Sequence, residues 1–106
     1  MSKKIKVELY HNKQKQIYRV VGYNHGPSNV CAAVSILLLN THNSIETFTD
    51  AKITVKDAKD GGFLDFSVTG RLEGDVTLLL KSMSLGLYGI ALEYPNDLQI
   101  EEVHSC

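Results

Sequence analysis

The sequence predicts an α+β domain with two layers, in which two long helices pack on one mostly antiparallel sheet. Three observations predict it. Short stretches alternate apolar and polar residues with the period of a half-buried strand, as in Ile5-Lys6-Val7-Glu8-Leu9. Two longer stretches, near 30–48 and 74–94, carry apolar residues at helical spacing instead. The strand-like segments come in pairs separated by turn chemistry, which gives the order ββαββα with room for a final β.

The first strand covers residues 3–10, with Ile5, Val7 and Leu9 on one side and Lys4, Lys6 and Glu8 on the other. The polar run 11–16 turns the chain, and Ile17-Tyr18-Arg19-Val20-Val21 returns as the second strand of a hairpin. Residues 22–29 hold two glycines, a proline and short polar side chains, so they form a loop, and Ser28 or Asn29 can cap a helix starting after it. That first helix is expected from about Val30 to Phe48. Its stripe is Val30, Val34, Leu37, Leu38, Thr41, Ile45 and Phe48. The first half is apolar on nearly every face, which a dimer interface would cover.

Residues 51–58 alternate again, and Asp57-Ala58-Lys59-Asp60-Gly61-Gly62 is a hairpin turn leading to a strand over 63–70. The second helix opens at Glu73-Gly74-Asp75 and ends near Tyr94-Pro95, because proline cannot continue it. Val76, Leu79, Leu80, Met83, Leu87, Ile90, Ala91 and Tyr94 form its stripe. Gly86 and Gly89 each cost about 1 kcal/mol in a helix relative to alanine, which suggests close contact with another backbone. Leu98, Ile100 and Val103 supply the last strand.

The chain has 106 residues and reads as one domain, 1–106. A formal net charge of −1 gives no basic footprint for nucleic acid. The basic start is not followed by an apolar stretch, so no signal peptide is expected, and the longest apolar run is too short for a bilayer. With only two cysteines, Cys31 and Cys106, a disulfide framework is not expected, and a reducing, cytoplasmic setting is. No metal or cofactor motif is present: Cys31 and His25 have no spaced partner ligands, and no phosphate-binding glycine loop occurs. Asp57, Asp60 and Asp65 read as solvated hairpin residues.

Cys31 is the residue that could carry chemistry. In the first turn of a helix, backbone N–H groups lack partners and the dipole favours an anion such as a thiolate. The flexible loop before it could admit a substrate. The same position also suits a small buried apolar group, which is how a reduced cysteine often behaves. A nucleophile needs a base in hydrogen-bond reach. His42 is eleven residues further along the helix, roughly 16 Å away. His11, placed in the first turn, is roughly 23 Å away along a strand. His104 falls in the C-terminal tail. Only His25 lies in the loop before Cys31, as a base or as a solvated loop residue.

The run Val30-Cys31-Ala32-Ala33-Val34-Ser35 resembles the nucleophile helix of the ribosomal-processing cysteine proteases known as Prp, the YsxB-like proteins. Asn43-Ser44-Ile45-Glu46, Gly61-Gly62-Phe63-Leu64, residues 78–87 and Glu93-Tyr94-Pro95 extend the resemblance along most of the chain. It implies an α+β homodimer that removes a short N-terminal extension from ribosomal protein L-twenty-seven, with a catalytic cysteine and histidine. The cysteine carries over to Cys31. Gly22 matches the glycine before the family's histidine, but Tyr23 occupies the histidine's position and Ser28 that of an acidic residue. The candidate site is therefore Cys31 with His25, flanked by Gly22, Tyr23, Gly26 and Ser28. Either His25 serves as base through a shorter loop, or the chain is a catalytically impaired relative that binds a peptide or ribosomal protein as a dimer.

Overall fold

The computed structural model describes residues 4–24, 26–56 and 62–105. Along the chain these form β1 (Ile5–His11), β2 (Ile17–Tyr23), α1 (Ser28–Phe48), β3 (Lys52–Lys56), β4 (Gly62–Thr69), α2 (Gly74–Glu93) and β5 (Leu98–His104). The turn expected at Asp57, Ala58, Lys59, Asp60 and Gly61 lies outside the described residues, as does His25.

The five strands form one sheet in the order β3-β4-β2-β1-β5. The β1–β2, β2–β4 and β3–β4 pairs are antiparallel, and β5 joins the far edge parallel to β1, with Ile5 opposite Leu98 and His11 opposite His104. The sheet is thus mixed, with one parallel pair among mostly antiparallel ones. Alternation decides which face meets the helices. Ile5, Val7 and Leu9 of β1, Val20 of β2 and Leu64, Phe66 and Val68 of β4 point to the helical layer and are buried. Val30, Val34, Leu38 and Ile45 of α1 and Val76, Leu80, Met83 and Leu87 of α2 complete the same core.

Several expectations are corrected. His104 is not in a loose tail: it is the last residue of β5, and its ring stacks on His11 at 4.5 Å. His11 closes β1 rather than sitting in the turn. Phe48 falls outside the buried stripe at 75% exposure, because it ends the helix after Ile45 has made the last core contact. Tyr94 ends as the exposed C-cap of α2. Asp65 is not solvated but holds Arg19 through two hydrogen bonds, 3.0 Å to Nε and 2.8 Å to Nη2, across the β2–β4 pair. A Cβ at Gly86 would lie 2.8 Å from Leu37 Cδ2, so close contact holds there, though with a side chain rather than a backbone. Gly89 has nothing within 4 Å of its would-be Cβ and faces open space.

By length and mean hydropathy, 1.3, α2 is apolar enough to cross a membrane, yet one of its faces lies in the core. The excess apolar surface is outward. Leu78, Leu85 and Leu92 recur every seven residues on α2, and Ile36 and Leu39 stand exposed on α1.

Candidate active site at the start of the first helix

The sheet brings three chain segments together at one end. β2 ends there at Tyr23, opposite Lys6 near the start of β1. The link from α2 into β5 arrives at the same end, where the Ile5 N–H donates to the Asp97 carbonyl at 2.9 Å. Asn24 comes next in the left-handed region (φ 66°), and its side-chain amide donates to the Lys4 carbonyl at 3.2 Å. Asparagine tolerates that backbone geometry better than most residues, and here it turns the chain sharply off the sheet. Gly26 and Pro27 then lead into α1.

The helix starts two residues earlier than its apolar stripe implies. Pro27 is the N-cap, with no side-chain cap hydrogen bond, so neither Ser28 nor Asn29 caps the helix. Both are first-turn residues instead. Proline fixes its own φ and brings no N–H, which suits it to a helix entry. The first helical bond runs from the Cys31 N–H to the Pro27 carbonyl at 2.8 Å. Cys31 is therefore the fourth residue of α1, and the N–H groups of Ser28, Asn29 and Val30 lack intrahelical acceptors. They give the helix start its positive character next to the thiol. Cys31 itself is half-buried and packs against the core cluster, one turn before Val34.

Position 23 takes no part in this thiol's surroundings. Tyr23 shares strand parity with Val21 and Arg19, opposite to the core-facing Val20, so its side chain lies on the face of the sheet away from the helices. There its hydroxyl meets the Glu8 carboxylate, which also accepts from Tyr10 at 2.9 Å, and the Lys6 ammonium lies 5.8 Å from its ring centre. Burial and the hydrogen bond to Glu8 push the Tyr23 phenol up to about 12. Burial works against the Glu8 carboxylate, but hydrogen bonds from Tyr23 and Tyr10 and the Lys6 charge together hold it below the usual carboxylate range. Tyr23 and Gly22 are thus the end of β2 rather than loop residues. The alternation of β2 carries the signal for this: Val20 and Tyr23 differ by three positions and must face opposite ways.

Three of the four histidines are described, and each is engaged elsewhere. His42 lies further along α1, pairs with Glu46 at 3.0 Å and sets its ring edge-on to Phe66. His11 and His104 sit at the opposite end of the sheet, where His11 meets Glu102 at 2.5 Å. That cluster of His11, His104, Glu102 and Tyr88 is invisible in the sequence, since it exists only through the β1–β5 register. Among the described residues, no three metal-ligating side chains converge.

The geometry is that of a cysteine held at an uncapped helix start beside a strand-end loop. Known proteins share the fold that builds it. The chain is similar to the ribosomal processing protease Prp of Staphylococcus aureus crystallised with a covalently linked product peptide. That match has 22% identity and a TM-score of 0.85, over 92% of this chain and 98% of that one. The same protease with a substrate peptide gives 21% identity, a TM-score of 0.84 and the same coverage. SMU.848 of Streptococcus mutans is similar at 24% identity and a TM-score of 0.85, over 97% and 100% of the two chains. No curated protein matches the sequence. The family model for cysteine protease Prp matches residues 4–99, which span both hairpins, both helices and Cys31. The chain belongs to the cysteine protease Prp family.

Proposed function

We propose that this chain is a cysteine endopeptidase that removes the N-terminal extension of ribosomal protein L-twenty-seven, acting in the cytoplasm as a homodimer. The observation that carries the proposal is Cys31 at the uncapped start of α1 in a chain of the Prp family. In this reading the Cys31 thiolate attacks the scissile carbonyl carbon, and His25 takes the thiol proton. The helix-start N–H groups of Ser28, Asn29 and Val30 face the developing oxyanion. His25 then gives its proton to the leaving amine, and water, deprotonated by His25, releases the acyl group from the sulfur. The assignment of His25 is supported by the engagement of His42, His11 and His104 elsewhere. The outward apolar rows of α1 and α2 support the homodimer: Ile36, Leu78 and Leu92 are each more than half exposed. A Leu92→Glu variant sediments as monomer if that face is the interface.

One observation favours a second reading, a peptide-binding relative without turnover. The family's histidine position holds Tyr23, turned to the far face of the sheet. The two readings part on a single assay. Incubation with a peptide spanning the extension's cleavage point yields Cys31-dependent products from an enzyme, and saturable binding without products from a binder.

A further inference from the structure

At the end of the sheet opposite Cys31, a half-open cavity of about 690 Å³ lies between α2, the β1–β2 loop and β5. This is within the size range of small-molecule sites. Its apolar lining joins the buried Ile17 and Leu80 to the more exposed Leu85 and Tyr88. Two cations stand on its wall, Lys15 and Lys81, and neither has a carboxylate partner among the described residues. The one carboxylate in the wall, Glu102, is already committed: it accepts from Tyr88 and pairs with His11 at 2.5 Å.

The loop that carries Lys15 is built. Lys15 adopts a left-handed backbone (φ 64°), unusual for a residue with a long side chain. The Asn12 side chain holds it there by accepting from the N–H groups of Gln14, at 3.0 Å, and Gln16, at 2.9 Å. His11 contacts the Lys15 carbonyl at 3.4 Å. Strain of this kind persists where the surroundings enforce it.

We propose that this cavity binds a small amphipathic carboxylate, its apolar body on Ile17, Leu80 and Leu85 and its carboxylate between Lys15 and Lys81. The site lies a full strand length from Cys31, about 20 Å, so it is a second site and independent of the peptidase reading.

Calorimetric titration of the full chain with decanoate tests this, with decanol as the uncharged control. Saturable binding of one decanoate per chain is expected, about tenfold tighter than decanol. The double variant Lys15→Gln/Lys81→Gln should lose that tenfold preference while keeping decanol binding. Ser84→Phe, which fills the cavity from α2, should abolish both. Leu92→Glu, outside the cavity, should leave decanoate affinity unchanged. Equal affinity for decanoate and decanol overturns the proposal, as does indifference to the two lysine changes or the absence of saturable binding. Binding that appears only in Leu92→Glu means that a second copy of the chain covers the cavity, and also overturns it.

Discussion

The contact between the helices sets where α1, and with it Cys31, rests on the sheet, and the glycines of α2 allow it to be measured. Gly86 and Gly89 are both in the interior of α2 but differ in surroundings. At Gly89 a methyl group meets nothing within 4 Å. Gly89→Ala should therefore realise the full helix-propensity gain of about 1 kcal/mol, or ~5 °C in Tm for a domain of this size. At Gly86 the same methyl would sit 2.8 Å and 3.2 Å from the two Leu37 methyl carbons. Leu37 is packed against the core, so relief requires an off-rotamer leucine or a wider helix spacing, at about 1–3 kcal/mol. The propensity gain offsets only part of this. Gly86→Ala should destabilise by about 1 kcal/mol, in contrast to its neighbour one turn on. Shortening Leu37 to alanine removes the clash, so the Gly86→Ala/Leu37→Ala cycle should show about 1–2 kcal/mol of favourable coupling. Urea unfolding of the four species gives the numbers. If Gly86→Ala stabilises as much as Gly89→Ala and the cycle is additive, the helix contact is not the one described.

Other outcomes rest on the same geometry. Phe66 is fully buried at the centre of the core, and Phe66→Ala should cost about 3–5 kcal/mol in urea unfolding. Tyr23→Phe removes a donor to Glu8 and should leave peptide cleavage intact, since position 23 faces away from the helical layer. Glu8 is held low in the folded state, so its stabilisation is present above the unfolded carboxylate value and lost as pH falls through the folded one. Tyr23→Phe raises that folded value, and acid unfolding should begin at higher pH. The tyrosines carry the opposite sign. Tyr23 and Tyr88 are pushed up to about 12, so their stabilisation is full below about pH 10 and lost as pH rises towards 12. In an ultraviolet titration both should ionise late, and an ordinary midpoint for every tyrosine would contradict their hydrogen bonds to Glu8 and Glu102.

Much of the fold is legible in alternation alone. Ile5, Val7 and Leu9 are all fully buried, as their spacing requires, and both helices lie within two residues of their expected bounds. What local pattern does not supply is long-range pairing. β5 is recognisable as a strand, but nothing in Leu98–His104 announces a parallel partner more than ninety positions earlier. The stacking of His11 on His104, the commitment of Glu102 and the cavity beside them all depend on that pairing. The Arg19–Asp65 bond likewise needs the β2–β4 register. The start of α1 departs from its expected place because Ser28 and Asn29 are good caps by residue type, whereas the Pro27 carbonyl already closes the first helical turn. At the site, Cys31 is legible from its place before an apolar helical stripe. The separation of Tyr23 from the thiol is legible too, through its parity with Arg19 and Val21.

The central claim is that Cys31 is a nucleophile served by His25. It is tested most directly by incubating the wild-type chain, Cys31→Ala and His25→Ala with a peptide spanning the cleavage point of the ribosomal protein's N-terminal extension, and following products by mass spectrometry. The account predicts cleavage at one bond by the wild type, a loss of at least about a hundredfold in His25→Ala, and no product from Cys31→Ala. Undiminished cleavage by Cys31→Ala, or binding of the peptide by the wild type without any product, would contradict it.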